Sequence, residues 1–220
     1  MRENEDDMRK IPSLFVRDWN GDKLATDAIT PGCEWVAGDR DAIMGLWKLD
    51  GTACMIRGSG VSEHGWSRGK LYKRYDAKKG RTPPPDFEPC DPAPDPVTGH
   101  WPGWVPVGDG PEDAVHRSIN LYWRGDGTYE LVGPKVNGNP HGIDRHCLVY
   151  HGALAVESDE LPKDLTSREQ WKEFLSKTAY EGVVLINLYD GSPEVPAHFG
   201  TSRLCKVKRT DFGLPWPFPK

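Results

Sequence analysis

The sequence predicts an α+β fold in which twisted antiparallel β-sheets dominate and a few helices flank them. Three observations lead there. Apolar residues alternate, or β-branched and aromatic residues cluster, in SLFVRDW, GLWKLDG, ACMIRG, INLYW, TYELVG, HCLVYHG, EGVVLINLY and RLCKVK, the pattern of half-buried strands. Glycine or proline punctuates nearly every run, so the strands are joined by turns. Only residues 167–177 form a long helical pattern: Trp171, Phe174 and Leu175 share one face, and Thr166 with Glu169 makes a capping box.

The remaining elements follow in chain order. Residues 1–10 are charged and expected to fray. Residues 82–106 hold nine prolines and read as an ordered, extended surface loop anchored by Trp101 and Trp104, because proline breaks central strands and helices alike. A linker between two domains is the weaker reading, since the first 81 residues offer few strands to close a core. A short helix is expected near Pro111, in PEDAVHRS. No internal repeat is visible, and the chain reads as one domain over residues 1–220.

Composition narrows the function classes. A hydrophobic fraction of 37% with nine tryptophans argues for a real core. No segment suits a signal peptide or a membrane span, so a cytoplasmic protein without membrane contact is expected. The cysteines at 33, 54, 90, 147 and 205 are odd in number and widely spaced, which fits reduced thiols better than a disulfide framework or zinc knuckle. The net charge is −5, yet Arg68, Lys70, Lys73, Arg74, Lys78, Lys79 and Arg81 cluster against one acid, Asp76. Arg203, Lys206, Lys208 and Arg209 form a second cluster. Basic patches on an acidic protein suit a polyanion held in one groove; a solvated basic face is the alternative.

Lys48 lies between Trp47 and Leu49 in LWKLDGTA. A lysine attacks phosphorus only as a neutral, aimed amine, so its apolar flanks would lower its pKa by desolvation. Asp50 would point to the same side if the strand persisted, and Gly51 permits a close turn. Glu130 sits in the apolar run of GTYELVGP and Glu181 opens EGVVLIN. Lys206 and Lys208 share a face of CKVKR. Carboxylates at the ends of buried strands are the harder ones to dismiss as surface charge, since unpaired buried charge is destabilising.

The order and contents of these motifs resemble the covalent nucleotidyltransferase superfamily of ATP-dependent ligases and mRNA capping enzymes. KLDGTAC, GWVPVG, YELVGPKVNGNP and KVKR look most like the minimal 5′–3′ RNA ligase family known as RNA ligase 1, over residues 30 to 212. The resemblance implies a ligase adenylation domain of the nucleotidyltransferase, ATP-grasp-like kind. It implies that Lys48 forms a lysyl-AMP with ATP, and that Lys206 and Lys208 neutralise the α-phosphate. Glu181 and Asp50 would orient Mg²⁺, or Mn²⁺ in its place, and Glu130 would bind the AMP ribose. Adenine would lie between Val184 and a ring from HCLVYHG, either His151 or Tyr150. Arg74 and Lys73 would contact ribose or an RNA 5′-phosphate. The partner implied is RNA with 5′-phosphate and 3′-hydroxyl ends.

Two departures bear on the family. Ala53 stands where DNA ligases carry arginine, and only twelve residues follow Lys208, so no OB domain is expected. Both favour an RNA ligase. A GTP-dependent capping-type guanylyltransferase and a non-catalytic RNA-end-binding protein are the competing readings. His64, His100, His116, His141, His146 and His198 show no metal-ligand spacing.

Overall fold

The computed structural model describes residues 10–62, 65–96, 98–122, 124–188 and 203–218. Residues 1–9 of the segment expected to fray at 1–10, His64 and His198 lie outside them. The strands are β1 (Phe15–Arg17), β2 (Ala25–Ile29), β3 (Ile43–Lys48), β4 (Thr52–Arg57), β5 (Gly60–Ser62), β6 (Gly65–Ser67) and β7 (Lys70–Ala77). They continue as β8 (Glu88–Pro89), β9 (Trp101–Pro106), β10 (Gly127–Val132), β11 (Cys147–Tyr150), β12 (Ala155–Val156), β13 (Gly182–Asn187) and β14 (Leu204–Lys208). Two α-helices are described, α1 (Ala114–Arg117) and α2 (Arg168–Ser176). The strand pairs are antiparallel, and the fold is α+β. Among the described residues, no helix is long and apolar enough to cross a membrane, and no disulfide joins any of the five cysteines.

The chain forms two compact units. One covers Gly51–His151; the other covers Ile11–Asp50 and Gly152–Lys220.

In the Gly51–His151 unit, six strands form a sheet in the order β11-β10-β4-β7-β9-β8, and β5 with β6 makes a separate two-stranded sheet. Strand alternation sorts its side chains. Cys54, Ile56, Leu71, Tyr129, Leu131 and Leu148 bury on one face with Val136, and Val107, Val115, Ile119 and Leu121 pack against them. Thr128 and Glu130 therefore project from the opposite face.

The proline-rich segment departs from its expected form, since Trp101–Pro106 is the strand β9. The partner β8 pairs only with Gly103 and Trp104. Pro106 thus sits where β9 is an edge and its missing N–H interrupts no ladder, while the Pro102 carbonyl still accepts from the Cys90 amide at 2.9 Å.

In the other unit, β12, β3, β13 and β14 form a four-stranded sheet. Ile43, Val183, Leu185, Cys205 and Val207 bury on one face with Trp171 and Leu175 of α2 and with Leu14, Phe15 and Phe212. The α2 start lies one residue later than the sequence suggests. Ser167 is the N-cap, its hydroxyl accepting from Gln170 N at 3.3 Å. Thr166 is already engaged, donating through its backbone N and hydroxyl to Asp164 at 2.8 and 2.6 Å.

Candidate active site

Three adjacent strands align the cations. Lys48 on β3 pairs with Gly182 on β13, and Gly182 pairs with Lys208 on β14. One pleat along, Leu46, Val184 and Lys206 form the next row. Because side chains alternate, Lys48, Lys206, Lys208 and Val184 all rise from one face while Trp47, Val183 and Val207 point to the other. Trp47 is stacked there between Phe174 and Tyr180, with ring centroids 5.5 and 4.5 Å away. Gly182 keeps the centre of the row open, since a Cβ at that position would overlap the Val207 carbonyl.

Glu181, immediately before β13, is 8% exposed and lies between two ammonium groups. It accepts from Lys48 Nζ through Oε2, and Oε1 is 3.6 Å from Lys208 Nζ. Lys48 Nζ also donates to the Leu49 carbonyl at 3.1 Å. Lys206 makes no side-chain hydrogen bond or ion pair among the described residues. Burial pushes its amine down from 10.5 to about 8, aided by the charges of Lys48 and Lys208 and opposed by Glu181 and Asp211. The sequence carries no expectation of this shift at Lys206.

Asp50 does not continue the strand, because β3 ends at Lys48. Its Oδ2 accepts from the Trp216 indole N–H at 2.7 Å. Leu49 and Asp50 therefore turn away from the sheet directly after the lysine.

The Gly51–His151 unit holds the other predicted residues. His151 lies just past β11, its backbone N donating to the Thr128 carbonyl at 3.2 Å. Its Nε2 is 2.9 Å from Glu130 Oε2 and its Nδ1 is 3.0 Å from Thr128 Oγ1. An ionised carboxylate can only accept, so Nε2 is the donor to Glu130, and the threonine hydroxyl, which can donate or accept, partners Nδ1. Tyr150 points the opposite way, edge-on to Tyr129 at 5.5 Å. Of the two rings left open by the sequence, His151 shares the face of Glu130. Gly51 sits so close to β10 that a Cβ would overlap the Leu131 carbonyl and approach Glu130 Cγ at 2.8 Å. Its carbonyl accepts from Asn137 Nδ2 at 2.8 Å. Asn137, Gly138 and Asn139 all have positive φ, so the NGN segment forms a left-handed turn.

Arg74 and Lys73 separate. Arg74 pairs with Trp104, and its guanidinium carbon lies 5.6 Å from that ring, on the Thr128–Glu130 face. Lys73 pairs with Cys54 and points to the core side, where it is ion-paired with Asp113. Asp113 is 2% exposed. Burial raises its pKa, but hydrogen bonds from Lys73 and from Gly108 N and the charge of Lys73 outweigh that and hold it below the ordinary carboxylate value.

Among the described residues no group of three or more His, Cys, Asp or Glu side chains could hold a metal ion. Glu181 already faces two lysines, and Asp50 an indole. This donor set fits a hard cation carried largely by phosphate oxygens and water, not one caged by protein ligands.

Trp216, Asn137 and Thr128 have no counterpart among the predicted residues. Trp216 had a signal: a tryptophan between two prolines in LPWPFPK belongs to neither strand nor helix, so its side chain is what is placed.

No family model matches the chain. It is 27% identical to RNA ligase 1 of Mus musculus and of Rattus norvegicus and 25% identical to RNA ligase 1 of Danio rerio. These similarities cover 96, 96 and 95% of this chain and 82% of each relative. Similarity over that share of the chain relates it to the RNA ligase family.

Proposed function

We propose that the protein is an ATP-dependent RNA ligase that joins 5′-phosphate and 3′-hydroxyl ends through a Lys48–AMP intermediate. The observation that carries the reading is the row Lys48–Gly182–Lys208, with Glu181 between its two ammonium groups and Lys206 one pleat away. Such a face suits an α-phosphate, where negative charge builds during attack. The similarity to RNA ligase 1 proteins supplies RNA as the substrate class.

In this mechanism the Lys48 amine loses a proton to Glu181 Oε2, the acceptor it already contacts. Its nitrogen attacks the α-phosphorus, an N–P bond forms, and the bond to pyrophosphate breaks. Lys206 and Lys208 hold the non-bridging oxygens. Glu130 takes the ribose hydroxyls and His151 the adenine, while Arg74 meets the RNA 5′-phosphate. An oxygen of that phosphate then displaces Lys48 from phosphorus and carries AMP on the RNA end. Finally the 3′-hydroxyl oxygen attacks the RNA phosphorus, its proton passing to water, and the new P–O bond forms as the phosphoanhydride bond breaks and AMP leaves. Glu181 and Asp50 would hold Mg²⁺ or Mn²⁺, which supplies charge neutralisation of the phosphates when bound.

Incubation with α-labelled ATP and Mg²⁺ tests the reading. A covalent adduct is expected from the native chain and none from Lys48→Ala; an adduct that survives the substitution overturns it. Labelled GTP in parallel distinguishes a guanylyltransferase.

A further inference from the structure

Segment 213–218 is tied to the turn that follows Lys48. The tie begins at Arg209, which opens the 3-10 turn Arg209–Phe212 directly after Lys208 and is 2% exposed. Its Nη1 donates to the carbonyls of Leu175 and Thr178, the latter at 2.7 Å. Its Nε donates to the Pro215 carbonyl at 2.9 Å, and its guanidinium carbon lies 4.7 Å from the centroid of the Phe218 ring. The Leu214 amide also donates to the Arg209 carbonyl at 3.1 Å. Gly213, with a φ of 70°, makes the left-handed reversal that brings these residues back. One buried arginine thus anchors the chain before and after Trp216, and the indole is presented from a fixed frame.

The target of that frame is Asp50, whose Oδ2 accepts the indole N–H at 2.7 Å from a residue 166 positions away. Between Asp50 and the strand lies Leu49, whose carbonyl accepts from Lys48 Nζ. The amine is therefore held from two directions, by Glu181 at β13 and by the Leu49 peptide. The orientation of the Leu49 peptide depends on where Asp50 is fixed. We infer that Trp216 is a positioning residue for Lys48, acting through Asp50 and the Leu49 carbonyl to aim the amine. The inference rests on the lysyl-AMP reading above and adds to it an element that no motif of that reading contains.

Trp216→Phe keeps an aromatic ring and removes only the N–H. The rate of adduct formation at saturating ATP is expected to fall about tenfold, the scale of a hydrogen bond to a charged group. The apparent KM for ATP should stay within about twofold, because aiming the amine acts on the bond-forming step. In an Asp50→Ala background, which removes the acceptor, the same substitution should lower the rate by clearly less than tenfold, since either change breaks the same contact. A native rate in Trp216→Phe overturns the positioning role and leaves the lysyl-AMP reading intact, as does an equal loss in both backgrounds. No adduct from the native chain overturns the lysyl-AMP reading itself, and this role with it. Should Trp216→Phe lower the unfolding midpoint, the indole ¹⁵N–¹H resonance of Trp216 reads the contact with the side chain intact. It shifts in Asp50→Ala, which removes the acceptor, if the contact exists in solution, and an unmoved resonance overturns the inference.

Discussion

Lys206 offers a measurement that follows directly from its surroundings. Its amine titrates at about 8 in place of 10.5, first because it is buried and then because Lys48 and Lys208 share its face. At pH 8 about half of the molecules carry the proton. A triphosphate on that face brings opposite charge within a few ångströms, which raises an amine by about 1 to 3 pH units. Binding at pH 8 should therefore take up about 0.4 to 0.5 proton per nucleotide. The uptake should fade below about pH 6.5, where the amine is charged in both states. Isothermal titration calorimetry in two buffers of different ionisation enthalpy measures this number directly. Lys206→Arg provides the control, because a guanidinium stays charged and should abolish the uptake while keeping the cation. Zero uptake by the native chain at pH 8, or equal uptake by Lys206→Arg, would refute the reasoning.

Other expectations are shorter. For folding, the lowered value of Lys206 means that the unfolded chain binds the extra proton between about pH 8 and 10.5. Stability from this group therefore rises with pH through that window and is fully reduced, by about 3 kcal/mol, below it. Denaturant melts should show that rise in the native chain and lack it in Lys206→Met. Lys73→Met should strand the buried Asp113 carboxylate and destabilise by about 3 to 5 kcal/mol, with Asp113→Asn restoring much of the loss; a stable Lys73→Met that loses only RNA joining would place this lysine at the RNA instead. Gly182→Ala forces a methyl into the Val207 carbonyl and should lower the unfolding free energy by about 1 to 3 kcal/mol, together with adduct formation. His151→Ala should weaken ATP binding more than Tyr150→Ala, since only His151 shares the Glu130 face; the reverse order in direct binding assays would reassign the ring.

Charged residues inside apolar strands were the legible part of the site. Glu130, Lys206 and Lys208 stood out because alternation gives each a face, and α2 stood out because Trp171 and Leu175 keep helical spacing. Alternation does not say which strands are neighbours, however, so the row through Lys48, Gly182 and Lys208 is a product of pairing between distant segments. The same ignorance joined Lys73 to Arg74 as one basic cluster, although adjacent residues of a strand must face apart. It also gave no sign of the lowered pKa of Lys206, because burial of that amine depends on what packs around β14. The cap of α2 moved from Thr166 to Ser167 because Asp164 competes for the threonine, a contact invisible to a four-residue pattern. Trp216 escaped for the simplest reason: its partner lies at the other end of the chain.

The alternation on β14 has a consequence for how the chain finds its fold. A slip of one residue against β13 would turn Lys206 and Lys208 toward Trp171 and Leu175, and would send Cys205 and Val207 out to water. Two ammonium groups in that interior would be far more unfavourable than any gain from the slipped ladder. The pair that would meet the phosphate therefore also polices the register of its own strand. Variants that neutralise both lysines should be tested for mispaired or heterogeneous folds before a loss of ligation is read as a loss of chemistry.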